Sequence, residues 1–239
     1  MAANSGSWWP LDQRVTESGL ETTDSRVTEF IREKYRPLTP GLAELRRICE
    51  KDQIPVIYPE TETLLLLLLR LKQPKKILEI GTALGYSASF FAEAVKGSTV
   101  YTVEKDEYAC TAARQNIRAG GLEGRVRVYL GDGQEITEKL RDDGEGPFDF
   151  VFIDAAKSHY RRFFESALTC ASDGAVLVSD NILLHGMTVD EDSDPKKKHR
   201  TNIRRMRDFL EFITTDPRLE TTLQSSGDGV AISLYHKKK

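Results

Sequence analysis

The stretch at residues 75–87 constrains the fold more than any other part of the chain. After two lysines, residues 77–80 form a short apolar run that is interrupted only by Glu79. Such a run is typical of a parallel strand that is buried on both faces. Gly81 and Gly85 then permit a turn in which the backbone approaches a ligand closely, and a helix pattern follows the second glycine.

A strand, a glycine turn and a helix form the first half of a nucleotide-binding βα unit. This turn lacks the G-x-G-x-x-G spacing that places backbone against a pyrophosphate, and it keeps an acidic side chain, Glu79, close to the ligand position. A carboxylate repels a pyrophosphate but attracts a cationic amino group. Glu79 and Gly81 therefore favour a nucleoside with a positively charged amino-acid tail, which describes S-adenosylmethionine. A tight turn without any ligand is the alternative.

Beyond this unit the chain alternates between strand and helix patterns, which predicts a parallel sheet with helices on both faces. Strand patterns occur at residues 77–80, 99–103, 126–130, 148–153 and 175–178 and, as a final antiparallel hairpin at one sheet edge, at residues 219–223 and 230–235. Three helix patterns, the last one through Leu69, precede the first strand. We expect one α/β domain, with N-terminal helices at residues 24–72 and the core at residues 75–239, and a flexible tail at residues 1–23.

The composition argues against several classes of protein. The 239 residues carry a net charge of −3, so no overall positive field attracts nucleic acid. The longest apolar run, residues 64–69, is much shorter than the roughly 20 residues that span a bilayer. Cys49, Cys110 and Cys170 are widely spaced and lack the pairing of metal ligands. We therefore expect a cytoplasmic protein without a membrane partner.

Acidic or amide residues follow nearly every predicted strand, and in an open α/β sheet the ligand lies beyond these carboxyl ends. Glu104 comes 23 positions (104 − 81) after Gly81, a spacing typical of an acid that binds both ribose hydroxyls of an adenosine. Asp132, between Gly131 and Gly133, suits the edge of an adenine, because a carboxylate accepts from an exocyclic amine and the glycines leave room for the ring. The alternatives are an ordinary exposed Glu104 and a helix N-cap at Asp132.

Three oxygen-bearing side chains, Asp154, Asp180 and Asn181, follow adjacent predicted strands. They suit a hard cation with octahedral geometry, such as Mg²⁺ or Mn²⁺, that keeps open positions for water or substrate. No His or Cys stands at these positions, which argues against zinc.

Lys157 is three residues after Asp154, so its amine can reach the same site. Beside a metal cation a lysine is more easily held neutral, and a neutral amine can accept a hydroxyl proton. His159 is the competing candidate for this base, although its offset from Asp154 directs it elsewhere. A solvated lysine at the start of a helix is the alternative for Lys157.

Four segments, in this order, resemble the cation-dependent O-methyltransferases, the family that includes the catechol and caffeoyl-CoA methyltransferases. They are residues 77–87, residues 152–160, the pair Asp180-Asn181 and the glycine-flanked Asp228. The resemblance covers about residues 25–236. It implies a Rossmann-like class I fold of S-adenosylmethionine-dependent methyltransferases, with a mostly parallel seven-stranded sheet and an antiparallel edge hairpin.

The resemblance also implies roles for single residues. Mg²⁺ is held by Asp154, Asp180 and Asn181, and Lys157 matches the base of the catechol-type members. The methyl donor is contacted by a larger set: Ile57, Ser87, Glu104, Asp132, Gly133 and Asp154.

Within the family, Pro55, residues 72–76, the glycine turn and the basic residues 195–200 are similar to the bacterial tRNA 5-hydroxyuridine methyltransferases. That similarity implies Mg²⁺-dependent methylation of the 5-hydroxyl of 5-hydroxyuridine at the wobble position in the anticodon region of tRNA, giving 5-methoxyuridine. One alternative is a small catechol-like or caffeoyl-CoA-like acceptor, for which the basic run is only a solvated loop. A more remote one is a non-catalytic nucleoside-binding protein. We also expect a homodimer.

Overall fold

The structure is a computed structural model that describes residues 24–190, 194 and 197–237, so the predicted tail at residues 1–23 lies outside the described residues. Three helices precede the sheet: α1 (Ser25–Glu33), α2 (Pro40–Lys51) and α3 (Pro59–Lys72). Pro40 and Pro59 are the first residues of α2 and α3. At this position the backbone N–H has no acceptor within the helix, so a proline, which lacks this N–H, costs no hydrogen bond. The third helix is longer than predicted and ends at Lys72, because Gln73 adopts a left-handed conformation (φ 50°).

The sheet and its helices occupy the rest of the described chain. Their bounds are β1 (Lys76–Ile80), α4 (Tyr86–Ala94), β2 (Thr99–Glu104), α5 (Glu107–Ala119), β3 (Val126–Leu130), α6 (Gly133–Asp142), β4 (Phe148–Ile153), α7 (Tyr160–Leu168), β5 (Ala171–Asp180), α8 (Arg200–Thr215), β6 (Leu219–Gln224) and β7 (Val230–Tyr235). A 3₁₀ turn at Lys157–His159 separates β4 from α7. Helix α7 therefore begins only after this turn, at Tyr160.

The strands form one seven-stranded sheet in the order β3-β2-β1-β4-β5-β7-β6. Neighbours from β3 to β5 are parallel, and β7 pairs antiparallel with both β5 and β6. The α/β fold predicted from the sequence, with its antiparallel edge hairpin, is confirmed. The strand order reverses between β1 and β4, and in open α/β sheets the ligand crevice lies outside the carboxyl ends at such a switch point.

Strand β5 begins at Ala171, four residues before the predicted start at residue 175. The sequence does not indicate this start, because residues 172–174 are Ser-Asp-Gly, a composition typical of a turn. Phe148 pairs with Ala171, and the register then shifts before Phe150 pairs with Val176. The early part of the strand is therefore held by its neighbour β4 and not by an apolar pattern of its own.

Side chains of β1 enter the core on both faces of the sheet. Leu78 and Ile80 belong to the cluster that packs with α7 and α8, whereas Ile77 belongs to the cluster that packs with α3 and α4. Burial on both faces explains why the strand reads as a continuous apolar run. The three cysteines are also buried, and none forms a disulfide. Within the described residues, no helix has both the length and the apolarity needed to cross a lipid bilayer.

Candidate active site

The glycine turn after β1 crosses β4 at very short range. Gly81 has a φ of 105°, and a Cβ atom added there would lie 1.9 Å from the carbonyl oxygen of Asp154. No side chain fits this position, and the left-handed conformation independently favours glycine. The turn therefore lies directly against the residue predicted to hold both the donor and a cation.

Glu79 is completely buried beneath this turn. One carboxyl oxygen accepts a hydrogen bond from the Thr102 hydroxyl, and the other, Oε1, has no hydrogen-bond partner among the residues that the structure describes. The nearby Ser87 hydroxyl, like that of Thr102, favours the charged form of the carboxyl group. Burial outweighs both hydroxyls and raises the pKa of Glu79 to about 8. Burial therefore favours the neutral form of this side chain, whereas the sequence suggested a carboxylate.

Glu104 ends β2 and anchors the glycine turn. Its Oε2 accepts from the backbone N–H groups of Thr82 (3.1 Å) and Ala83 (2.8 Å), and its Oε1 accepts from those of Lys105 (2.8 Å) and Asp106 (2.9 Å). Four N–H donors use the lone pairs of both oxygens. Ribose hydroxyls would have to replace at least one of these donors, so Glu104 has an anchoring role that its spacing from Gly81 did not indicate.

Asp132 is the N-cap of α6, accepting from the Gln134 N–H at 3.0 Å, as the alternative interpretation expected. Both of its oxygens also accept from Arg162 at 2.7 Å. These charge-assisted bonds lower the pKa of Asp132 to about 2. The space that a side chain at Gly133 would occupy is already filled, because a Cβ there would lie 2.5 Å from Ile80 and 2.9 Å from Phe163.

Lys157 lies at the centre of the predicted metal site. Its Nζ donates to Asp154 Oδ1 (2.7 Å), Asn181 Oδ1 (2.8 Å) and the Tyr160 hydroxyl (2.8 Å), and 22% of its side chain is exposed. Burial lowers the pKa of Lys157, but the Asp154 carboxylate and the Tyr160 hydroxyl together outweigh it and raise the pKa above its ordinary value. The amine is therefore an ammonium here and not the neutral base that the sequence suggested.

Asp180 and Asn181 are brought to this position by the end of β5. Asn181 has a φ of 56°, the left-handed region that asparagine tolerates better than most residues. Asp180 is buried; its Oδ1 accepts from the Asn181 N–H at 2.8 Å, and its Oδ2 has no hydrogen-bond partner within the described part of the chain. Burial, and then the negative charge of Asp154, raise the pKa of Asp180 to about 8.

The set of oxygen atoms fits a hard divalent cation. Asp154 and Asn181 already surround one positive charge, the Lys157 ammonium, and the orphaned Oδ2 of Asp180 lacks the partner that a buried carboxyl oxygen requires. Carboxylate and amide oxygens are the ligands that Mg²⁺ prefers. The described part of the chain contains no group of three His, Cys, Asp or Glu side chains arranged for a metal. The predicted site therefore depends on the Asn181 amide as its third ligand.

His159 and the basic residues of α8 lie beside this site. The His159 ring packs on Phe163, with 5.8 Å between ring centroids, and burial together with the charges of Arg162 and Arg205 lowers its pKa. Arg205 donates to the Ser158 carbonyl at 3.1 Å and thus braces the turn that carries Lys157.

Arg207 and Asp194 also form hydrogen bonds with backbone groups of the protein. Arg207 donates to the Thr188 carbonyl at 2.8 Å, and Asp194 accepts from the N–H groups of Lys198 (3.1 Å) and His199 (2.7 Å). The Arg207 side chain and the backbone of Lys198 and His199 are therefore already engaged in contacts within the protein. Lys197, Lys198, Arg200 and Arg204 remain exposed, and Lys196 lies outside the described residues.

Sequence reasoning missed two partners of the predicted residues. Tyr160 is buried and its hydroxyl, which receives a hydrogen bond from Lys157, donates to the Asp180 carbonyl at 2.7 Å. Its position three residues after Lys157 placed it one helical turn away and was a usable signal. Arg162 gave no comparable signal, because its partner Asp132 is 30 positions away along the chain.

Comparisons with known proteins agree with this geometry. A family model described as O-methyltransferase matches residues 33–237. A catechol O-methyltransferase from Mycobacterium tuberculosis is 31% identical over 205 residues, which are 82% of this chain and 88% of the relative. A catechol O-methyltransferase from Niastella koreensis is 38% identical over 138 residues, 57% of this chain and 62% of the relative. A caffeoyl-CoA O-methyltransferase from Populus kitakamiensis is 32% identical over 172 residues, 70% of this chain and 72% of the relative.

Solved structures with a similar fold are also O-methyltransferases. The O-methyltransferase from Bacillus cereus, in complex with S-adenosylhomocysteine, superposes with a TM-score of 0.77 at 28% identity and covers 88% of this chain and 97% of its own. The O-methyltransferase TomG from Streptomyces achromogenes, in complex with S-adenosylmethionine, gives a TM-score of 0.76 at 27% identity, with 89% and 96% covered. The chain therefore belongs to the cation-dependent O-methyltransferase family, and it is a methyltransferase.

Proposed function

We propose that the protein transfers a methyl group from S-adenosylmethionine to a hydroxyl that neighbours a second oxygen on a small catechol-like or caffeoyl-CoA-like acceptor. The observation that carries this proposal is the convergence of Asp154, Asn181 and Lys157 beside the Gly81 turn, at the switch point of the sheet. The relatives named for catechol and caffeoyl-CoA support the acceptor class.

The donor has support from the neighbours bound to S-adenosylmethionine and S-adenosylhomocysteine. We assign its amino-acid end to the Gly81 turn together with Ile57 and Ser87, because the buried Glu79 has an oxygen there without a hydrogen-bond partner among the described residues. Glu104 and Asp132 are assigned to the adenosine. When the donor binds, its ribose and adenine must share or replace the hydrogen bonds that Glu104 and Asp132 accept from the protein in this structure.

We assign a divalent cation, Mg²⁺ or Mn²⁺, to Asp154, Asp180 and Asn181. Such a cation supplies Lewis acidity, which lowers the pKa of a hydroxyl and helps to orient it. Lys157 is the proposed proton acceptor, because its Nζ lies at this site and Tyr160 fixes its position. Since the amine is an ammonium here, it would first have to release its own proton, which the like charge of a bound cation would favour. In an in-line transfer these residues hold the acceptor oxygen towards the donor methyl and exclude competing orientations.

The second candidate acceptor is 5-hydroxyuridine in tRNA, whose 5-hydroxyl neighbours the 4-keto oxygen as in a catechol. The exposed Lys197, Lys198, Arg200 and Arg204 favour it, since a basic patch near the site can contact phosphates. The involvement of Arg205 in a backbone contact weakens it. The homodimer, the cytoplasmic location and the single-domain division remain predictions.

One assay with three acceptors tests the proposal. Purified protein is incubated with S-adenosylmethionine and catechol, caffeoyl-CoA or tRNA that contains 5-hydroxyuridine, with Mg²⁺ or with a chelator, and products are identified by mass spectrometry. We expect methylated catechol or caffeoyl-CoA with Mg²⁺ only. Asn181→Leu should abolish the product while S-adenosylhomocysteine still binds, because Asn181 is assigned to the cation and not to the donor.

The same assay separates the two acceptor classes. If tRNA is methylated efficiently while catechol and caffeoyl-CoA are not, the small-molecule proposal is wrong. In that case, replacing Lys197, Lys198, Arg200 and Arg204 with alanine should weaken tRNA binding and flatten its salt dependence, because fewer counterions are released. Equal methylation with chelator and with Mg²⁺ would contradict the assigned cation chemistry for either acceptor.

A further inference from the structure

A buried arginine joins two segments that are far apart in the sequence. Arg46, on α2, is 5% exposed. Its Nη2 donates to the carbonyl of Ile57 at 3.0 Å, and its Nε donates to the hydroxyl of Tyr86 at 3.1 Å. Ile57 lies in the segment before α3, and Tyr86 is the first residue of α4, immediately after the glycine turn.

Glu62, on α3, completes this arrangement. Its carboxylate pairs with the Arg46 guanidinium, and it accepts from the hydroxyls of Tyr86 (2.7 Å) and Tyr35 (2.8 Å). The guanidinium also lies over the Tyr86 ring, 4.6 Å from its centroid. We call these four side chains, Tyr35, Arg46, Glu62 and Tyr86, the Arg46–Glu62 cluster.

Stability alone does not explain a cluster of this kind. Removing two charges from water is costly, and replacing a buried ion pair with apolar residues of similar volume is often neutral or stabilising. What such a pair does provide is direction, because the planar guanidinium fork donates along fixed lines. Here the fork points at once to a backbone carbonyl before α3 and to a hydroxyl at the start of α4.

We propose that Arg46 and Glu62 are positioning residues for the methyl donor, holding the Ile57 segment and the glycine turn at the separation that the donor requires. The inference rests on the proposed function, which assigns both segments to the amino-acid end of S-adenosylmethionine. Neither side chain has to touch the donor. Their effect on binding passes through the Ile57 carbonyl and Tyr86.

The decisive variant is Arg46→Met combined with Glu62→Gln. It removes both charges of the pair together, and the remaining carboxylate near Arg46, that of Glu50, is 24% exposed and therefore within reach of water. The glutamine oxygen can accept from one of the two tyrosine hydroxyls, and its NH₂ group can donate to the other. Binding of S-adenosylhomocysteine, measured by calorimetry, should weaken at least tenfold. With an acceptor that the wild type methylates, the KM for S-adenosylmethionine should rise by a similar factor, whereas kcat at saturating donor should stay within twofold.

Two single variants keep the test decisive if the double variant does not fold. Arg46→Lys retains the charge opposite Glu62, but one ammonium cannot reproduce the two directed bonds to Ile57 and Tyr86, so donor affinity should fall while the melting temperature changes little. Tyr86→Phe removes only the hydroxyl and should also weaken donor binding.

A matched control is available on the neighbouring helices. Arg32 and Glu60 form a two-bonded pair of 3.0 and 2.8 Å between α1 and α3. Arg32→Met with Glu60→Gln should leave the affinity for S-adenosylhomocysteine unchanged.

The outcomes are distinguishable. If the folded double variant, or both single variants, bind S-adenosylhomocysteine as tightly as the wild type, the inference is wrong. It is also wrong if the Arg32/Glu60 control loses as much affinity, because the effect would then be general destabilisation. If the wild type itself does not bind S-adenosylhomocysteine, the assignment of the donor fails first, and the inference falls with it.

Discussion

The ammonium of Lys157 lies 2.8 Å from the side-chain oxygen of Asn181, within the set of oxygens that we assign to a divalent cation. It also pairs with Asp154 at 2.7 Å. The lysine is thus an internal counter-charge for the acidic site. A cation and the Lys157 ammonium are expected to compete for the same oxygens, because each of them compensates the same negative charge.

Lys157→Met should make the protein more dependent on Mg²⁺. Without a cation, the variant lacks the positive charge that compensates the Asp154 carboxylate, so its melting temperature should be lower than that of the wild type. Because a ligand stabilises the native state by RT ln(1 + [L]/Kd), and competition is removed, Mg²⁺ should raise the melting temperature of the variant more. Thermal unfolding over a Mg²⁺ titration measures this. Lys105→Met, at an exposed position, is the control, and equal Mg²⁺ shifts in Lys157→Met and wild type would rule out the competition.

Gly81→Ala should disrupt the site severely. The new Cβ would lie 1.9 Å from the Asp154 carbonyl oxygen, and a φ of 105° is strained for any residue with a side chain. We expect a loss of about 3 kcal/mol or more in the free energy of unfolding, or failure to bind S-adenosylhomocysteine. Gly97→Ala has nothing within 4 Å of its added Cβ and should be neutral. Urea unfolding of both variants provides the comparison, and a neutral Gly81→Ala would contradict the observed crossing.

Much of the fold was predictable because its determinants are local. The apolar run of β1 and the glycine turn specify a strand, a turn and a helix without reference to the rest of the chain, and the structure contains them. The start of β5 was not predictable, because Ala171 is held in the sheet by Phe148 of β4 despite a turn-like sequence.

In the candidate site too, features with local determinants were predictable and features that depend on distant contacts were not. Strand ends placed Asp154, Asp180 and Asn181 correctly at one edge, since parallel strands end together. Side-chain partners depend on contacts between distant segments and left no local pattern. The Asp132–Arg162 pair spans 30 positions, and the Arg46–Tyr86 bond spans 40. Protonation was also hidden, because the burial that neutralises Glu79 exists only in the folded chain.

Arg162→Met should reduce stability in a pH-dependent way. The bonds from Arg162, together with those from the Gln134 and Glu135 N–H groups, lower the pKa of Asp132 from 3.8 to about 2. The contribution of the Arg162–Asp132 pair is therefore present above about pH 4 and is lost as the pH falls towards 2. Because 34% of the Arg162 side chain is exposed, solvent screens the pair, and the loss should be no more than about 1 kcal/mol. Urea unfolding between pH 2.5 and 6 (roughly the window of the shift) should show the difference from wild type shrinking with acid. Arg161→Met, next in the chain, is the control, and a difference independent of pH would contradict this account.

Glu79→Gln should stabilise the protein at high pH while weakening donor binding. Burial raises the pKa of Glu79 from 4.5 to about 8, so the folded protein keeps a proton that the unfolded chain releases between these values. Stability contributed by the neutral form is therefore complete below the lower value and is lost as the pH rises to the upper one, by up to about 1.4 kcal/mol per pH unit. Glutamine is neutral in both states, so the variant should match the wild type at acidic pH and exceed it at about pH 8.

Donor binding should weaken in the variant, because the cationic amino group of S-adenosylhomocysteine favours the ionised form of Glu79, which a glutamine amide cannot adopt. Urea unfolding from acidic to alkaline pH and calorimetry with S-adenosylhomocysteine measure the two effects on the same variant. Glu107→Gln, at an exposed position, should change neither. If Glu79→Gln is less stable than the wild type at about pH 8, Glu79 is ionised in the folded protein and its charge is compensated by a partner, which would overturn the neutral assignment.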